Sequence, residues 1–327
     1  MRALLVERLA PDYAGCALKE VPTPAPGPGE VRVKVIAAAV NFPDLLMTRG
    51  EYQHKPALPF IPGLEIAGEI EALGDAVEGW KIGDAVVGGA RVGGFSQFAV
   101  ASAASLKPKP ARLSFAGAAA YGAAYLTAWV CLVRRAQVQP GEWVLVHGAA
   151  GGVGLACVDL AKLLGCRVIA ASASDEKLAL VRAEYAPDAT LNVTGGFREA
   201  VKALTGGRGA DVICDPVGGD IFDESVRCIA FNGRLLAIGF ASGRIPALPV
   251  NMALIKGFSL MGVRAGEYGR RFPDWGRENV EAVWALASEG KIRPRVHAEL
   301  PLAEWRAAFE LLASRAVVGK AVIRPDL

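Results

Sequence analysis

The sequence predicts an α/β protein in two parts, a doubly wound parallel sheet and a mainly β portion that precedes it. Three observations carry that expectation. A chain of 327 residues exceeds the usual size of one compact core, so two domains are expected. From Trp143 onward, short apolar runs alternate with segments of helical spacing, the pattern of parallel strands joined by crossover helices. Earlier in the chain, proline and glycine interrupt short β-branched runs, as in strands joined by turns.

Taken in order, Val21-Pro22-Thr23-Pro24-Ala25-Pro26-Gly27-Pro28-Gly29 is not helical, because each proline fixes φ and removes a donor. Val31–Val40 is β-branched and apolar, a strand, and strand signals recur over Gly63–Leu73 and Asp84–Val100. Leu113–Val133 carries no charge and is long enough to span a bilayer. It is interrupted by Ser114, Gly117, Gly122 and Thr127, however, and alanine fills most of the rest. Alanine gives little transfer free energy, so a buried interdomain helix is expected and no membrane span. Trp143–Val146 then reads as a buried strand, Gly148–Gly154 as a glycine turn, and Val153–Leu164 as a helix stopped at Gly165. Arg167–Ala171 is the next strand and Ser174–Tyr185 the next helix, followed by strands at Ala210–Asp215 and Gly233–Gly239. Past Val263 the alternation fades; helices are expected over Asn279–Glu289 and Ala303–Ala313, and a last strand over Lys320–Arg324.

Apolar residues make up 52% of the chain and charged residues 21%, a composition that folds. The 36 basic and 33 acidic residues leave a net charge of +3 with no basic block, so no nucleic-acid partner is expected. Charges at Arg2 and Glu7 come too early for a signal peptide. Cys16, Cys131, Cys157, Cys166, Cys214 and Cys228 include no CxxC pair, which fits the reduced thiols of a cytoplasmic protein.

Ala149-Ala150-Gly151-Gly152-Val153-Gly154 reads A-x-G-x-x-G, with alanine at the first glycine of the dinucleotide fingerprint. It lies between a strand and a helix, the context that gives the motif meaning. Gly151 lets backbone approach a pyrophosphate, Gly154 lets the helix pack close to the strand, and the helix N-terminus offers unpaired N–H groups. A Rossmann nucleotide domain is therefore expected. Ser172 ends the second strand, 18 residues beyond Gly154, where an acid would bind a ribose 2′-hydroxyl. No carboxylate stands there to repel a 2′-phosphate, and Lys177, one turn into the next helix, can meet one as a point charge. NADPH is the expected cofactor. Asp175 is the rival for an NAD role, but its place suits a first-turn acid favoured by the helix dipole.

Further motifs carry a family likeness. Asn41-Phe42-Pro43-Asp44, Arg49-Gly50-Glu51-Tyr52, Pro59-Phe60-Ile61-Pro62-Gly63-Leu64-Glu65, Gly93-Gly94-Phe95-Ser96-Gln97-Phe98, Leu126-Thr127-Ala128, Asp215-Pro216-Val217-Gly218-Gly219 and Gly319-Lys320 run over nearly the whole chain. Through them the chain resembles the medium-chain dehydrogenase/reductases, and within those the zinc-free quinone oxidoreductases of the zeta-crystallin type. The resemblance implies a Rossmann sheet (residues 125–263) inserted in a mainly β, GroES-like catalytic domain (1–124 and 264–327), with nicotinamide and substrate meeting in a cleft. It also implies a homodimer joined at the edges of the Rossmann sheets, here through Ser259–Val263.

Zinc-dependent relatives carry a Cys and a Gly-His-Glu as metal ligands; this chain has Asn41 and Gly63-Leu64-Glu65, so no metal is expected. The scattered His54, His147 and His297 do not rebuild a tetrahedral site. Metal-free hydride transfer suits acceptors that are already electrophilic, such as quinones, conjugated enones and enoyl thioesters. Residue by residue, the resemblance implies Asn41 and Thr127 near the nicotinamide and its ribose, and Gly151, Gly152 and Val153 on the pyrophosphate. It assigns Ser172 and Lys177 to the 2′-phosphate, Phe240 and Ser242 to the nicotinamide half, and Val217 and Lys320 to the cofactor. Val193 departs from the tyrosine that relatives often place against the adenosine. Asn41, Asp44 and Tyr52 are the candidate catalytic residues. Tyr52 is either a proton donor or a wall of the cleft, and Asp44 either orients a hydrogen-bond network or caps a helix. An NADPH:quinone oxidoreductase is the leading expectation; an NADPH-dependent enoyl-thioester or enone reductase and a non-catalytic NADPH-binding protein are the alternatives.

Overall fold

The computed structural model describes residues 1–89 and 92–327. It divides into two compact units, the first comprising 1–122, 287–290 and 294–327, the second 123–286 and 291–293.

The first unit is built on a seven-stranded mixed sheet. Its strands run in the order Val296–Pro301, Lys320–Arg324, Glu30–Ala39, Glu65–Leu73, Ala85–Gly89 and Leu106–Pro108, with Phe98–Ser102 also paired to Glu30–Ala39. The stretch expected as Asp84–Val100 is thus two strands, positions 90 and 91 lying outside the described residues. Val31, Val33 and Val35 alternate into the core against Ile66, Ile70 and Phe95, as the period of a half-buried strand requires. Register fixes what the sheet places together. Ala39 pairs with Glu65 and with Val322, and Val40 N donates to Ala321 O at 2.9 Å. The start of the C-terminal strand is thereby brought beside Asn41 and Glu65.

The second unit is a six-stranded sheet in which every pairing is parallel. In order across the sheet its strands are Ala189–Asn192, Arg167–Ser172, Trp143–Val146, Ala210–Asp215, Ile229–Ala237 and Ser259–Gly262. Numbered along the chain this is 3-2-1-4-5-6, the doubly wound order, with its switch point between Trp143–Val146 and Ala210–Asp215. The expected α/β class and Rossmann topology are what the chain adopts. Ser259–Gly262 is an edge strand, as expected, and Ala189–Asn192 is the opposite edge, which the sequence did not announce.

The apolar stretch is a helix over Phe115–Trp129 that runs on as a π-helical segment over Val130–Arg135. By length and composition it could cross a membrane, but 67% of its most apolar window is buried in the protein. The unit boundary falls within it, Gly122 ending one unit and Ala123 beginning the next.

The sequence reading grouped 264–327 with the first part, whereas residues up to Leu286 pack in the second unit. The cause is local. Arg134 of the π-helical segment bonds Asn279 Oδ1 at 2.7 Å and Glu278 at 2.6 Å and lies over the Trp275 ring, which stacks on Tyr268. These contacts hold the helices Ala265–Arg271 and Pro273–Ser288, of which the sequence announced only the second half.

Candidate active site and nucleotide loop

In the first unit, three side chains from three adjacent strand ends converge. Asn41 Nδ2 donates to Glu65 Oε2 at 2.9 Å and to Ala39 O at 3.2 Å, and its Oδ1 accepts Lys320 Nζ at 2.5 Å. Lys320 Nζ lies 3.5 Å from Glu65 Oε2, and Lys320 and Glu65 are each 7% exposed. Gly319 makes the approach possible: its φ is +89°, and a Cβ there would fall 2.4 Å from Arg295 O.

Asp44 lies beneath this group, fully buried. Its Oδ2 accepts Asn41 N at 2.8 Å, the reciprocal arm of a capping box on the helix Phe42–Arg49, and its Oδ1 accepts Gly63 N at 3.1 Å. Both functions considered for it, capping and orienting, are present in one carboxyl. Burial pushes that carboxyl up to about 7 against the opposing pull of the two N–H donors and Lys320. Tyr121 of the same unit is buried, and burial together with the Glu65 charge holds its phenol well above the usual range.

Tyr52 is not part of the group. It follows the helix in a bend, half-buried, with its ring packed against the core of the unit. His54 is an exposed residue of the same bend.

In the second unit, Gly151 is the extended residue before the helix Gly152–Leu163. Leu155 N donates to Gly151 O at 2.8 Å, so the N–H groups of Gly152, Val153 and Gly154 precede the first intrahelical bond and are left for a ligand. Gly154 is required for packing: a Cβ there would lie 2.1 Å from Gly148 O. A Cβ added at Gly148 would find Val217 Cγ2 at 3.4 Å, so Val217 borders the loop. Ala241 N and Ser242 N donate to Pro216 O at 3.1 Å and Val217 O at 2.9 Å, which holds the segment carrying Phe240 and Ser242 beside Val217. Phe240 is 42% exposed. Thr127 spends its hydroxyl hydrogen on Ala123 O at 2.7 Å, leaving only acceptor capacity.

Ser172 ends its strand and accepts Ser174 N at 3.4 Å, while Ser174 caps the helix Asp175–Tyr185 through Lys177 N at 3.3 Å. Lys177 is half-buried, and desolvation lowers its ammonium from the ordinary value. Asp175 Oδ1 accepts Asn192 Nδ2 at 2.8 Å. Val193 N donates to Ser172 O at 3.1 Å, which sets it next to the strand end without an aromatic ring to offer.

Three polar residues of these sites carried no positive role in the sequence. Glu65 was visible only as the remnant of a metal motif. Asp215 ends one central strand and His147 directly follows the other, Trp143–Val146, both buried. Asp215 Oδ1 accepts Val217 N and Gly218 N, each at 2.8 Å, and so shapes the turn beside the nucleotide loop. His147 Nε2 lies 2.8 Å from Ser225 Oγ, whose own hydrogen goes to Ile221 O, so the imidazole donates from Nε2. Burial lowers His147 to about 3, so the ring is neutral.

Two family models match the chain: "Alcohol dehydrogenase GroES-like domain" over residues 27–111 and "Zinc-binding dehydrogenase" over 152–288. The "Quinone oxidoreductase-like protein 2 homolog" of Nematostella vectensis is 41% identical over 90% of this chain and 81% of its own length. Among solved structures, the Escherichia coli quinone oxidoreductase complexed with NADPH matches with a TM-score of 0.89 at 27% identity, covering 99% of this chain and 100% of that one. The CurK enoyl reductase matches with a TM-score of 0.88 at 28% identity over 99% of this chain and 98% of its own.

Proposed function

From its membership of the medium-chain dehydrogenase/reductase superfamily, in the quinone oxidoreductase-like family, we propose that the chain reduces quinones by zinc-free hydride transfer from NADPH. The observation that carries this is the Asn41–Glu65–Lys320 group. Asn41 has both amide hydrogens engaged, Leu64 offers no donor atom, and an ammonium already stands against the one carboxylate. That donor set does not fit a zinc ion. Among the described residues no other cluster of His, Cys, Asp and Glu has the form of a metal site. Without a Lewis acid to polarise an alcohol, the suited acceptor is one already electrophilic, and a quinone is the clearest case.

The second unit fits a dinucleotide. Free N–H groups of Gly152 and Val153 suit the pyrophosphate, and Ser172 and Lys177 suit a 2′-phosphate. Asp175, turned to Asn192, is not at the strand end where it would repel one. The bound nicotinamide would supply the hydride. The chain's part is to hold the ring and ribose (Thr127, Val217, Phe240 and Ser242) and to present polar groups to the acceptor.

An enoyl-thioester or enone reductase is the second reading, favoured by the likeness to the CurK enoyl reductase, with Tyr52 as the residue that discriminates it from the first. The Tyr52 ring packs against core side chains, which suits a wall more than a proton donor and favours the quinone. A protein that only binds NADPH is the third. NADPH absorbance followed with para-benzoquinone, with crotonyl-CoA and with neither separates all three. Oxidation with benzoquinone supports the proposal, and binding without turnover on either acceptor rejects it.

We further propose a cytoplasmic homodimer. Phe231 and Leu254 are 81% and 82% exposed, and both lie by the free edge strand Ser259–Gly262, in its neighbouring strand and in the helix Val250–Lys256 that leads to it. So large an apolar surface is costly to leave in water.

A further inference from the structure

We propose that the Lys320 ammonium is the electrophile that meets the acceptor's carbonyl oxygen, a role that rests on the quinone-reductase reading above. Of the three grouped side chains it alone has a hydrogen left to give. Asn41 Nδ2 has one hydrogen on Ala39 O and one on Glu65, and Glu65 as a carboxylate has none. Lys320 directs two of its three N–H bonds at Asn41 Oδ1 and Glu65 Oε2, at 2.5 and 3.5 Å. A ligand reaching this group therefore meets one cationic donor, and that donor selects an atom that carries or develops negative charge.

The energetics argue against a purely structural lysine. A buried ion pair repays its desolvation only with close geometry and full hydrogen bonding, and 3.5 Å with an unused N–H offers neither. Apolar side chains of the same volume would hold these three strand ends at less cost. A cation kept nine-tenths buried and under-satisfied is instead the arrangement that stabilises a developing oxyanion, because it is oriented before the charge appears.

The step balances without another reactant. The hydride brings two electrons and one hydrogen to the quinone, leaving the oxidised nicotinamide and a hydroquinone monoanion. The oxyanion accepts a hydrogen bond from Lys320, which keeps its proton, and water supplies the second hydrogen of the hydroquinone.

The test uses para-nitrophenol as a stand-in for the monoanion, added to the protein saturated with NADP+. At a pH where the free phenol is mostly protonated, its yellow phenolate band should rise on binding. Lys320→Met should abolish that rise and lower kcat with para-benzoquinone by about 10²–10³-fold, the scale for losing one oxyanion donor. The loss of kcat should exceed any rise in the NADPH dissociation constant, which reads the contact that the family resemblance assigns to Lys320, and Lys320→Arg should recover part of both losses. The double variant Lys320→Met/Glu65→Gln strands no charge and should show the same losses if the single variant folds poorly. The proposal is overturned if these variants keep the band and kcat, or if the NADPH dissociation constant rises while kcat is kept. A wild type that ionises the probe but reduces no quinone would sink the quinone reading and leave the anion site standing. A wild type that reduces quinones without ionising the probe would do the reverse.

Discussion

Asp44 Oδ1 accepts the backbone N–H of Gly63 at 3.1 Å, and its other oxygen accepts that of Asn41, so one fully buried carboxyl ties the helix start to the loop that leads to Glu65. Lys320 and Glu65 are the charges that face it, one lowering and one raising its affinity for a proton. Raised from 3.8 to about 7, the folded carboxyl holds a proton that the unfolded chain releases near pH 4. Its contribution to stability is therefore full below about pH 4 and is lost as pH rises through about 7. Asp44→Asn, neutral at every pH, gives up one acceptor and should be less stable by about 1–3 kcal/mol at pH 5. The gap should narrow toward pH 8, as denaturant titrations at both values would show; a constant gap would mean that Asp44 is ionised throughout.

His147 acts in the opposite direction. Lowered from 6.5 to about 3 by burial, it stays neutral while the unfolded imidazole takes up a proton. Stability from this residue is full above about pH 6.5 and falls as pH drops toward 3, by up to about 1.4 kcal/mol per pH unit. His147→Gln keeps a donor for Ser225 and should flatten the acid limb of stability against pH. An unchanged limb would assign acid sensitivity to other groups.

The nucleotide loop was legible because it is local. Trp143–Val146, Gly151 and Gly154 are a strand, a close approach and a packing contact within a dozen residues, and each has one physical reading. The Lys320–Glu65 pair spans 255 residues and exists only because Ala39 is paired with both Glu65 and Val322. No periodicity in the sequence encodes that register. The allotment of residues 264–286 failed for a similar reason: what holds them is Arg134 against Trp275 and Asn279, more than 140 residues away. Ala189–Asn192 is short and half-buried, and gave no alternating signal.

Lys177→Ala should weaken NADPH binding by about 1–3 kcal/mol, the value of one charge-assisted contact, and leave NADH binding nearly unchanged. Dissociation constants from nucleotide fluorescence would check this. An equal loss for both nucleotides would make Lys177 a support of the fold.

Leu254→Glu combined with Ile255→Glu places two charges on the exposed face of the helix Val250–Lys256. Light scattering should show a dimer for the wild type and a monomer for the variant, with the far-ultraviolet spectrum unchanged. A monomeric wild type at micromolar concentration would remove the proposed interface.

The most direct measurement is kcat/KM with NADPH for para-benzoquinone and for crotonyl-CoA, after dialysis against a strong chelator. Benzoquinone reduction should survive chelation undiminished and exceed crotonyl-CoA reduction. Loss of turnover on chelation with recovery on added zinc would contradict this, as would a wide preference for crotonyl-CoA.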